Sequence, residues 1–503
     1  MKKPIYLCAM TMALSLAACV NAGNQTPSNA ADMDKRQRSE LTRLPAPADL
    51  DFAKQSGSVQ QFELEGQTVR YRAFENIVYV LNPVDTRYQF MNIYIPEAYF
   101  QDESIDDFTA ETAPIFLPNQ VGGYMPATAG RPELDKRSGS PNAMMVALSK
   151  GYVVASAGAR GRTESTGRAP AAIVDLKAAV RYLKANDKQM AGDANKIISN
   201  GTSAGGALSA LLGTSGNAPE FEPYLQQLGA ATADDTIFAV SAYCPIANLE
   251  HADMAYEWQF NGVNDYQKIS IENVDYRIER KLINGVQTSE QIKLSDELKQ
   301  AFIPYINSLN LYNKQGVKLT LDADGNGSFK RHIEGLLMQS AQEAINRGED
   351  LSDQTWLTIT NGRVVAADFA AYAKFVGRQK TTPAFDGIDL STAENNLFGD
   401  QQVAKKHFTD FSMANSTVLG ASKADSRTVY MMNPMNFQSK TKYYRIRHGE
   451  NDRDTSLAIS TLMALKLDKE NKVVDFALPW GRGHSGDYDL QELFDWAKSI
   501  SAP

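Results

Sequence analysis

The chain has 503 residues, 43% of them hydrophobic and 22% charged, a make-up that suits a large globular protein and excludes a disordered or fibrous one. Its formal net charge is −8, or −10 once Lys2 and Lys3 are set aside with the leader described below, so a polyanionic phosphate backbone is repelled and nucleic acid is a poor partner. The length allows one large domain with an insertion, or two domains.

In chain order, "MKKPIYLCAMTMALSLAAC" places two lysines before an uncharged run of 15 residues, Pro4 to Ala18, and then Cys19. That run is too short for a membrane span of about 20 residues but suits a signal-peptide core. Leu16-Ala17-Ala18-Cys19 resembles the lipobox of bacterial lipoproteins, whose leader is cut before the cysteine that then carries lipid. The resemblance implies a leader over 1–18, lipid on Cys19 and an exported domain anchored to the bacterial cell envelope, in the periplasm or at the cell surface. Ordinary secretion with a nearby cut is the alternative. Cys8 leaves with the leader and Cys244 has no remaining thiol partner, so the mature domain is expected to be stable without internal disulfides.

Residues 19–58 are polar, lack a sustained apolar period and read as a flexible tether. From 59 the pattern turns β-rich: "VQQFELEG", "TVRYRAFENIVYVLN" and "YQFMNIYIPE" alternate or run apolar between turn residues. "APIFLPN" and "GYVVASAGA" read as buried strands. "AAIVDLKAAVRYLKAN" reads as an amphipathic helix with Ile173, Leu176, Val180 and Leu183 on one stripe. "NKIIS" is a further strand, "GGALSALLG" opens a helix, and "TIFAVSAYCPI" extends the series. This succession implies an α/β fold with a mostly parallel sheet covered on both faces. From about 250 to 420 the texture becomes polar and largely helical, and strand texture returns at "KTKYYRIRHG" and "NKVVDFALPWG" before a terminal helix, "DLQELFDWAKSI". The expected organisation is a core in two parts, 59–250 and 421–503, with a largely helical lid over 251–420 inserted between strands.

The strongest chemical signal is Gly201-Thr202-Ser203-Ala204-Gly205, a G-x-S-x-G match that follows a strand and precedes a helix. Such a turn is tight enough to demand small neighbours, which Gly201, Ala204, Gly205, Gly206 and Ala207 supply, and the helix N-terminus favours developing negative charge. A bare glycine-rich helix start is the bland reading. A serine hydroxyl needs a base, and five histidines are available: His251, His332, His407, His448 and His484. With the order nucleophile, acid, histidine, only His484 in "PWGRGHSGDYD" falls after the last strand; the other four read as structural or surface histidines. The acid belongs at the end of the preceding strand, in "ENDRD", where Asp452 or Asp454 can hold the imidazole. Spacing favours Asp452, and in an extended segment residues two apart point the same way, so Asp454 can face the same pocket. The oxyanion donors are expected to be the N–H of Ala204 and, from the loop "PNQVGGYMP", that of Gly123; a plain turn is the alternative there.

"NGTSAGG", "HGENDRDTS" and "PWGRGHSGDYD" together resemble the bacterial tannases, or tannin acyl hydrolases, over the chain from about residue 60 to its end. The resemblance implies an α/β-hydrolase fold with an inserted lid and hydrolysis of galloyl esters and depsides to gallic acid. By position it implies Ser203 as nucleophile, Asp452 as acid and His484 as base. It also implies that Asp454 binds galloyl hydroxyls, and that a lysine and a glutamate of the lid bind gallate; Lys380 and Glu394 stand at the required separation of 14. An ammonium can donate to phenolic oxygens and carboxylates can accept from phenolic hydroxyls. A surface lysine and glutamate are the ordinary alternative for Lys380 and Glu394.

"LDADGNGSF", with Asp322, Asp324 and Asn326, opens like an EF-hand loop, but its twelfth position is Ile333 and Glu334 comes one residue late, so a glycine turn is the better reading and no metal is expected. The chemistry requires no cofactor. The rivals are an esterase for feruloyl or acetyl groups, an exported peptidase on the same fold, and a catalytically silent surface lipoprotein that binds phenolics. The partner expected is a small gallate ester or gallotannin.

Overall fold

Alternating and continuous apolar runs build different parts of one sheet. The computed structural model describes residues 42–135, 138–274 and 277–502. β1 (Ser58–Leu64) and β2 (Gln67–Ile77) pair antiparallel and are partly exposed. β3 (Met91–Pro96), β4 (Pro114–Pro118) and β5 (Val153–Ala157) are buried at every residue, as are the later residues of β6 (Asp193–Thr202) up to Gly201 and all of β7 (Ala239–Tyr243). That is the pattern of strands covered on both faces. Two short hairpins follow, β8 (Asp265–Val274) with β9 (Arg277–Val286) and β10 (Leu357–Thr360) with β11 (Arg363–Ala367). β12 (Tyr443–Arg447) and β13 (Val473–Ala477) complete the main sheet.

Its nine strands run in the order β1-β2-β3-β5-β4-β6-β7-β12-β13. From β5 to β13 all neighbours are parallel. Register matters most at one end: Thr202 is opposite Tyr243, Tyr243 opposite Arg447, and Arg447 opposite Ala477. The carboxyl ends of four neighbouring strands therefore finish in one row, where ligands of open α/β sheets bind.

The core helices are α1 (Ala143–Ser149), α2 (Ala171–Ala185), α3 (Ala204–Thr214) and α4 (Glu222–Gln227). α2 departs from the expected one-sided stripe, since every residue from Ala171 to Leu183 is buried. Its polar groups are satisfied inside the protein: Asp175 accepts from Arg160 Nη2 at 2.8 Å and Lys177 Nζ donates to Asp235 at 2.8 Å. Internal pairing lets such residues occupy a helix face that periodicity assigns to water.

Between β7 and β12 the chain makes an insertion with α5 (Leu249–Phe260), α6 (Ser289–Ser308), α7 (Ser328–Asn346), α8 (Phe369–Val376), α9 (Ala393–Leu397), α10 (Asp410–Ala414) and α11 (Ser426–Met431). It is helical but also contains the two hairpins. Residues 269–283 of β8 and β9 belong to a compact unit separate from the one formed by residues 43–268 and 284–503. Trp258 anchors the insertion's aromatic core, 4.8 Å from the Phe369 ring, 5.5 Å from Phe302 and 5.4 Å from Phe329. α12 (Leu457–Lys469) and α13 (Leu490–Ser501) close the chain.

The expected tether ends before residue 58. Phe52 is buried, its N–H donates to Asn186 Oδ1 at 2.9 Å, and its ring lies 4.8 Å from that of Phe74. A single apolar side chain in a polar stretch escapes a composition reading. The leader, Cys19 and the tether up to residue 41 lie outside the described residues.

Candidate active site

Ser203 stands directly after β6 with φ 61° and ψ −122°, and α3 starts at the next residue. These angles are rare for a residue with a side chain, and they are held by Ser203 N–H donating to Tyr243 O at 2.9 Å and Ile246 N–H donating to Ser203 O at 3.2 Å. Gly201 allows the turn, because a Cβ there would lie 2.3 Å from Gly205 O and 2.6 Å from Asn119 Nδ2.

The loop after β13 brings His484 across. Its Nε2 lies 2.8 Å from Ser203 Oγ and its Nδ1 2.8 Å from Asp452 Oδ2. With the proton on Nδ1 donated to Asp452, the lone pair on Nε2 can accept the serine hydroxyl proton, the arrangement required for a hydroxyl nucleophile and its base. Asp452 is fully buried. Burial alone would raise its pKa, but the facing His484 and His448 imidazoles and the Asp454 N–H win and hold it at about 2. Burial likewise works against a charged His484, yet Asp452, Cys244 and Asp454 hold it well above the ordinary histidine value.

Asp454 reaches the same imidazole by a route other than an extended segment. The stretch is a turn in which Asp454 N–H donates to Asp452 Oδ1 at 2.8 Å, and this fold-back sets Asp454 Oδ2 3.5 Å from His484 Nε2. Lys380 Nζ lies 3.3 Å from Asp454 Oδ1 and 3.9 Å from the Phe385 ring centroid. Glu394, in the first turn of α9, is buried; desolvation raises its pKa while Lys380 and Arg162 oppose the rise and Asp454 adds to it. Lys380, Glu394 and Asp454, distant in sequence, thus form one electrostatic cluster at the open side of His484.

Of the two expected oxyanion donors, Ala204 N–H heads α3. The loop after β4 is tied to the same helix start, since Asn119 Nδ2 donates to Gly205 O at 3.0 Å. Met125 N–H donates to Gly122 O at 3.0 Å, closing a turn with Gly123 and Tyr124 at its centre. In a trans peptide the N–H opposes the C=O, so a Gly122 carbonyl turned inward directs the Gly123 N–H outward.

Three neighbours escaped the sequence reading. His448, four residues before Asp452, is buried with Nδ1 2.8 Å from Ser460 Oγ and Nε2 3.7 Å from Asp452 Oδ2. Gln379 Nε2 donates to Asp454 Oδ1 at 2.8 Å. Cys244 follows β7 with φ 36°, is buried, and its thiol faces Ser485 O at 3.4 Å. Only the paired register of β7 with β6 and β12, which the sequence does not display, puts residue 244 in the row of strand ends. Ligand atoms of Cys244, Asp452 and His484 all lie within 4.8 Å of one another, the one group with metal-ligand chemistry among the described residues.

The other histidines sit elsewhere. His407 bonds Asp386 and Ser416, each at 2.8 Å, and His251 stacks on Tyr305 at 3.8 Å. In the EF-hand-like stretch, Asp322 Oδ1 accepts from the N–H groups of Asp324 at 3.0 Å and Asn326 at 2.9 Å, making a turn into α7.

A parallel sheet with this sharp strand-turn-helix and with polar loops after successive strands defines an α/β-hydrolase. The family model described as BD-FAE matches residues 132–289. Among solved structures, the tannase of Fusobacterium nucleatum is 50% identical over 90% of this chain and 100% of its own, with a TM-score of 0.87. The tannase of Lactobacillus plantarum is 44% identical over 90% and 99%, with a TM-score of 0.86. A tannin acyl hydrolase in complex with ethyl gallate is 45% identical over 90% and 99%, with a TM-score of 0.84. Esterase LipC of Mycobacterium tuberculosis is 38% identical over 73 residues, 14% of this chain, and the chain spans only 18% of that curated relative. The chain belongs to the bacterial tannase family.

Proposed function

We propose that this protein is a serine esterase that hydrolyses galloyl esters and depsides to gallic acid. Ser203 Oγ attacks the galloyl carbonyl carbon as His484 Nε2 takes its proton, and Asp452 stabilises the imidazolium. The oxyanion is met by the Ala204 and Gly123 N–H groups. Collapse expels the alcohol, which takes the proton from His484, and leaves a galloyl-Ser203 ester. Water repeats the sequence and releases gallate. Lys380 donates to a phenolic oxygen while Glu394 and Asp454 accept from phenolic hydroxyls.

One observation carries this reading: the unbroken contact chain from Ser203 through His484 to Asp452, with the Lys380–Asp454 pair beside the reacting nitrogen. The test compares methyl gallate, methyl ferulate and 4-nitrophenyl acetate. Methyl gallate is expected to have the highest kcat/KM, and Ser203→Ala to lower it by about 10⁴-fold or more. A preference for ferulate would overturn the acyl assignment, and undiminished activity of Ser203→Ala would overturn the mechanism.

Lipidation at Cys19 and envelope anchoring belong to the same proposal, supported by Leu16-Ala17-Ala18-Cys19. Metabolic labelling with a fatty-acid analogue should mark the wild type and not Cys19→Ala; equal labelling of both would exclude it.

A further inference from the structure

We infer that Arg162 is a positioning residue that couples recognition of the acyl ring to the carbonyl-binding turn, an inference that rests on the esterase reading above. Arg162 lies in the segment after β5 and holds that turn twice: its backbone N–H donates to Tyr124 O at 2.8 Å and its Nε donates to Gly123 O at 2.6 Å. The segment lies directly against the turn, since a Cβ on Gly161 would be 2.1 Å from Pro126 N and 2.2 Å from Met125 C.

The turn needs holding. Its central residues, Gly123 and Tyr124, both have φ 54°, the positive pair of a type I′ turn. Glycine takes such an angle freely, but tyrosine does not. Flipping the peptide between them would convert the turn to type II′, in which only the first central residue, here the glycine, has positive φ. Tyr124 would be relieved by that flip. The Arg162 Nε bond to Gly123 O opposes it, because the flip carries that oxygen to the opposite face. The Gly123 carbonyl would then point where the Tyr124 N–H now points, on the side of the neighbouring Gly123 N–H, a poor neighbour for an oxyanion.

The other end of the guanidinium reaches the acyl site. Nη1 donates to Asn396 Oδ1 at 3.2 Å, and Asn396 is on α9, two residues after Glu394. A second bond from the same segment, Ala169 N–H to Leu397 O at 3.0 Å, joins it to the end of α9. A ring that engages Glu394 fixes α9, α9 fixes the Arg162 fork through Asn396, and the fork keeps the Gly123–Tyr124 peptide in its strained orientation. The acyl ring is thereby read in kcat as well as in KM, since a ligand that orders α9 strengthens the hold that Arg162 already has on the carbonyl-binding turn.

The experiment uses the full chain as Arg162→Gln, Arg162→Lys and Asn396→Ala. It measures kcat and KM for methyl gallate and 4-nitrophenyl acetate, Ki for phenylboronic acid, which forms a tetrahedral adduct on a serine, and Kd for gallate. Arg162→Gln is expected to lower kcat about 100-fold on both esters and to weaken the boronate at least about 10-fold, while gallate Kd moves less than about threefold. Asn396→Ala is expected to lower kcat for methyl gallate about fivefold or more and leave 4-nitrophenyl acetate within about twofold, because it removes the Arg162 fork's bond to α9, together with the Asn396 Nδ2 bond to Ala404 O at 3.0 Å, and leaves the bond to Gly123 O in place. If Arg162→Gln does not fold, Arg162→Lys carries the test: it can reach Gly123 O but cannot fork to Asn396, so it should resemble Asn396→Ala. Unchanged kcat and boronate affinity in Arg162→Gln would overturn the inference. So would parallel losses of boronate and gallate binding with a lowered Tm, which mark a merely structural role. A wild type active on 4-nitrophenyl acetate but not on methyl gallate would instead defeat the galloyl reading, and the acetate and boronate arms would still report on Arg162 and the turn.

Discussion

Asp454 Oδ2 stands 3.5 Å from His484 Nε2, the same nitrogen that meets Ser203 Oγ at 2.8 Å. In the mechanism proposed above, with His484 as base, a second carboxylate this close to it is placed to touch the acyl group as Ser203 attacks. Asp454→Asn keeps the shape and removes the charge, and hydrogen bonds to charged groups contribute about 1.5–3 kcal/mol. Its kcat/KM for methyl gallate should fall about 10- to 100-fold, while that for 4-nitrophenyl acetate falls less than about fivefold. Equal losses on both esters would assign Asp454 to holding the imidazole and not to the ring.

The same contact sets the pH response. His484 acts as a base only when neutral, and although burial favours the neutral form, Asp452, Cys244 and Asp454 together hold its pKa well above 6.5. Activity should therefore climb with pH through that raised value and be lost below it. Asp454→Asn removes one of the contributions that favour the charged form, so the acid limb of the kcat/KM profile for 4-nitrophenyl acetate should move to lower pH. The stability linkage has the opposite sense from activity. A raised folded-state pKa stabilises the fold fully below the unfolded histidine value and the contribution is lost as pH rises through the folded one. A limb that stays in place in Asp454→Asn would show that this carboxylate does not act on His484.

Much of this site was legible because its signals are local. Gly201 to Gly205 sit where strand periodicity stops and helix begins, chain order put the acid in the loop of Asp452 and Asp454 before His484, and nearness to the strand end favoured Asp452. What escaped depends on three-dimensional closure. Asp454 was expected to share the pocket by way of an extended segment, and what escaped is its route, a side-chain-to-backbone turn that no periodicity encodes. Cys244 and His448 arrive because β6, β7 and β12 end in register, and register between strands far apart in sequence is invisible until they pair. On α2 the charged residues that looked solvated are partners of buried charges from other loops, so a polar residue type did not mean an exposed face.

Phe52 offers a test of where the folded domain begins. It is 5% exposed, packs on Phe74 and anchors a polar stretch that otherwise resembles a linker. Removing a buried phenylalanine side chain costs about 3–5 kcal/mol. Phe52→Ala should lower the urea midpoint accordingly with little change in kcat, since the residue is bonded to Asn186 at the far end of α2 and not to a strand-end loop. A midpoint unchanged within error would mean that residues 49–57 contribute nothing to the fold.

Arg378 and Glu257 provide the clearest link between stability and the acyl contact proposed for Lys380. Both are fully buried, and Arg378 Nη1 donates to Glu257 Oε1 at 2.9 Å. Glu257 also accepts from Ser295 Oγ at 2.6 Å and Thr382 Oγ1 at 2.9 Å, so its charge is satisfied only while this network is intact. Arg378 further donates to Val263 O at 2.8 Å and Lys380 O at 3.3 Å, which suspends the segment carrying Lys380 from α5. Arg378→Met leaves a buried carboxylate without its cation, a loss of about 3–5 kcal/mol, whereas replacing both charges by apolar residues of similar size is often close to neutral. Arg378→Met should therefore be strongly destabilised in urea, and the double variant Arg378→Met, Glu257→Leu should recover much of that loss. Its substrate behaviour should not recover in parallel, because the bond to Lys380 O is absent in both variants. KM for methyl gallate is expected to rise several-fold in the double variant while 4-nitrophenyl acetate stays near the wild type. A double variant with wild-type KM for methyl gallate would show that Lys380 is placed without help from Arg378.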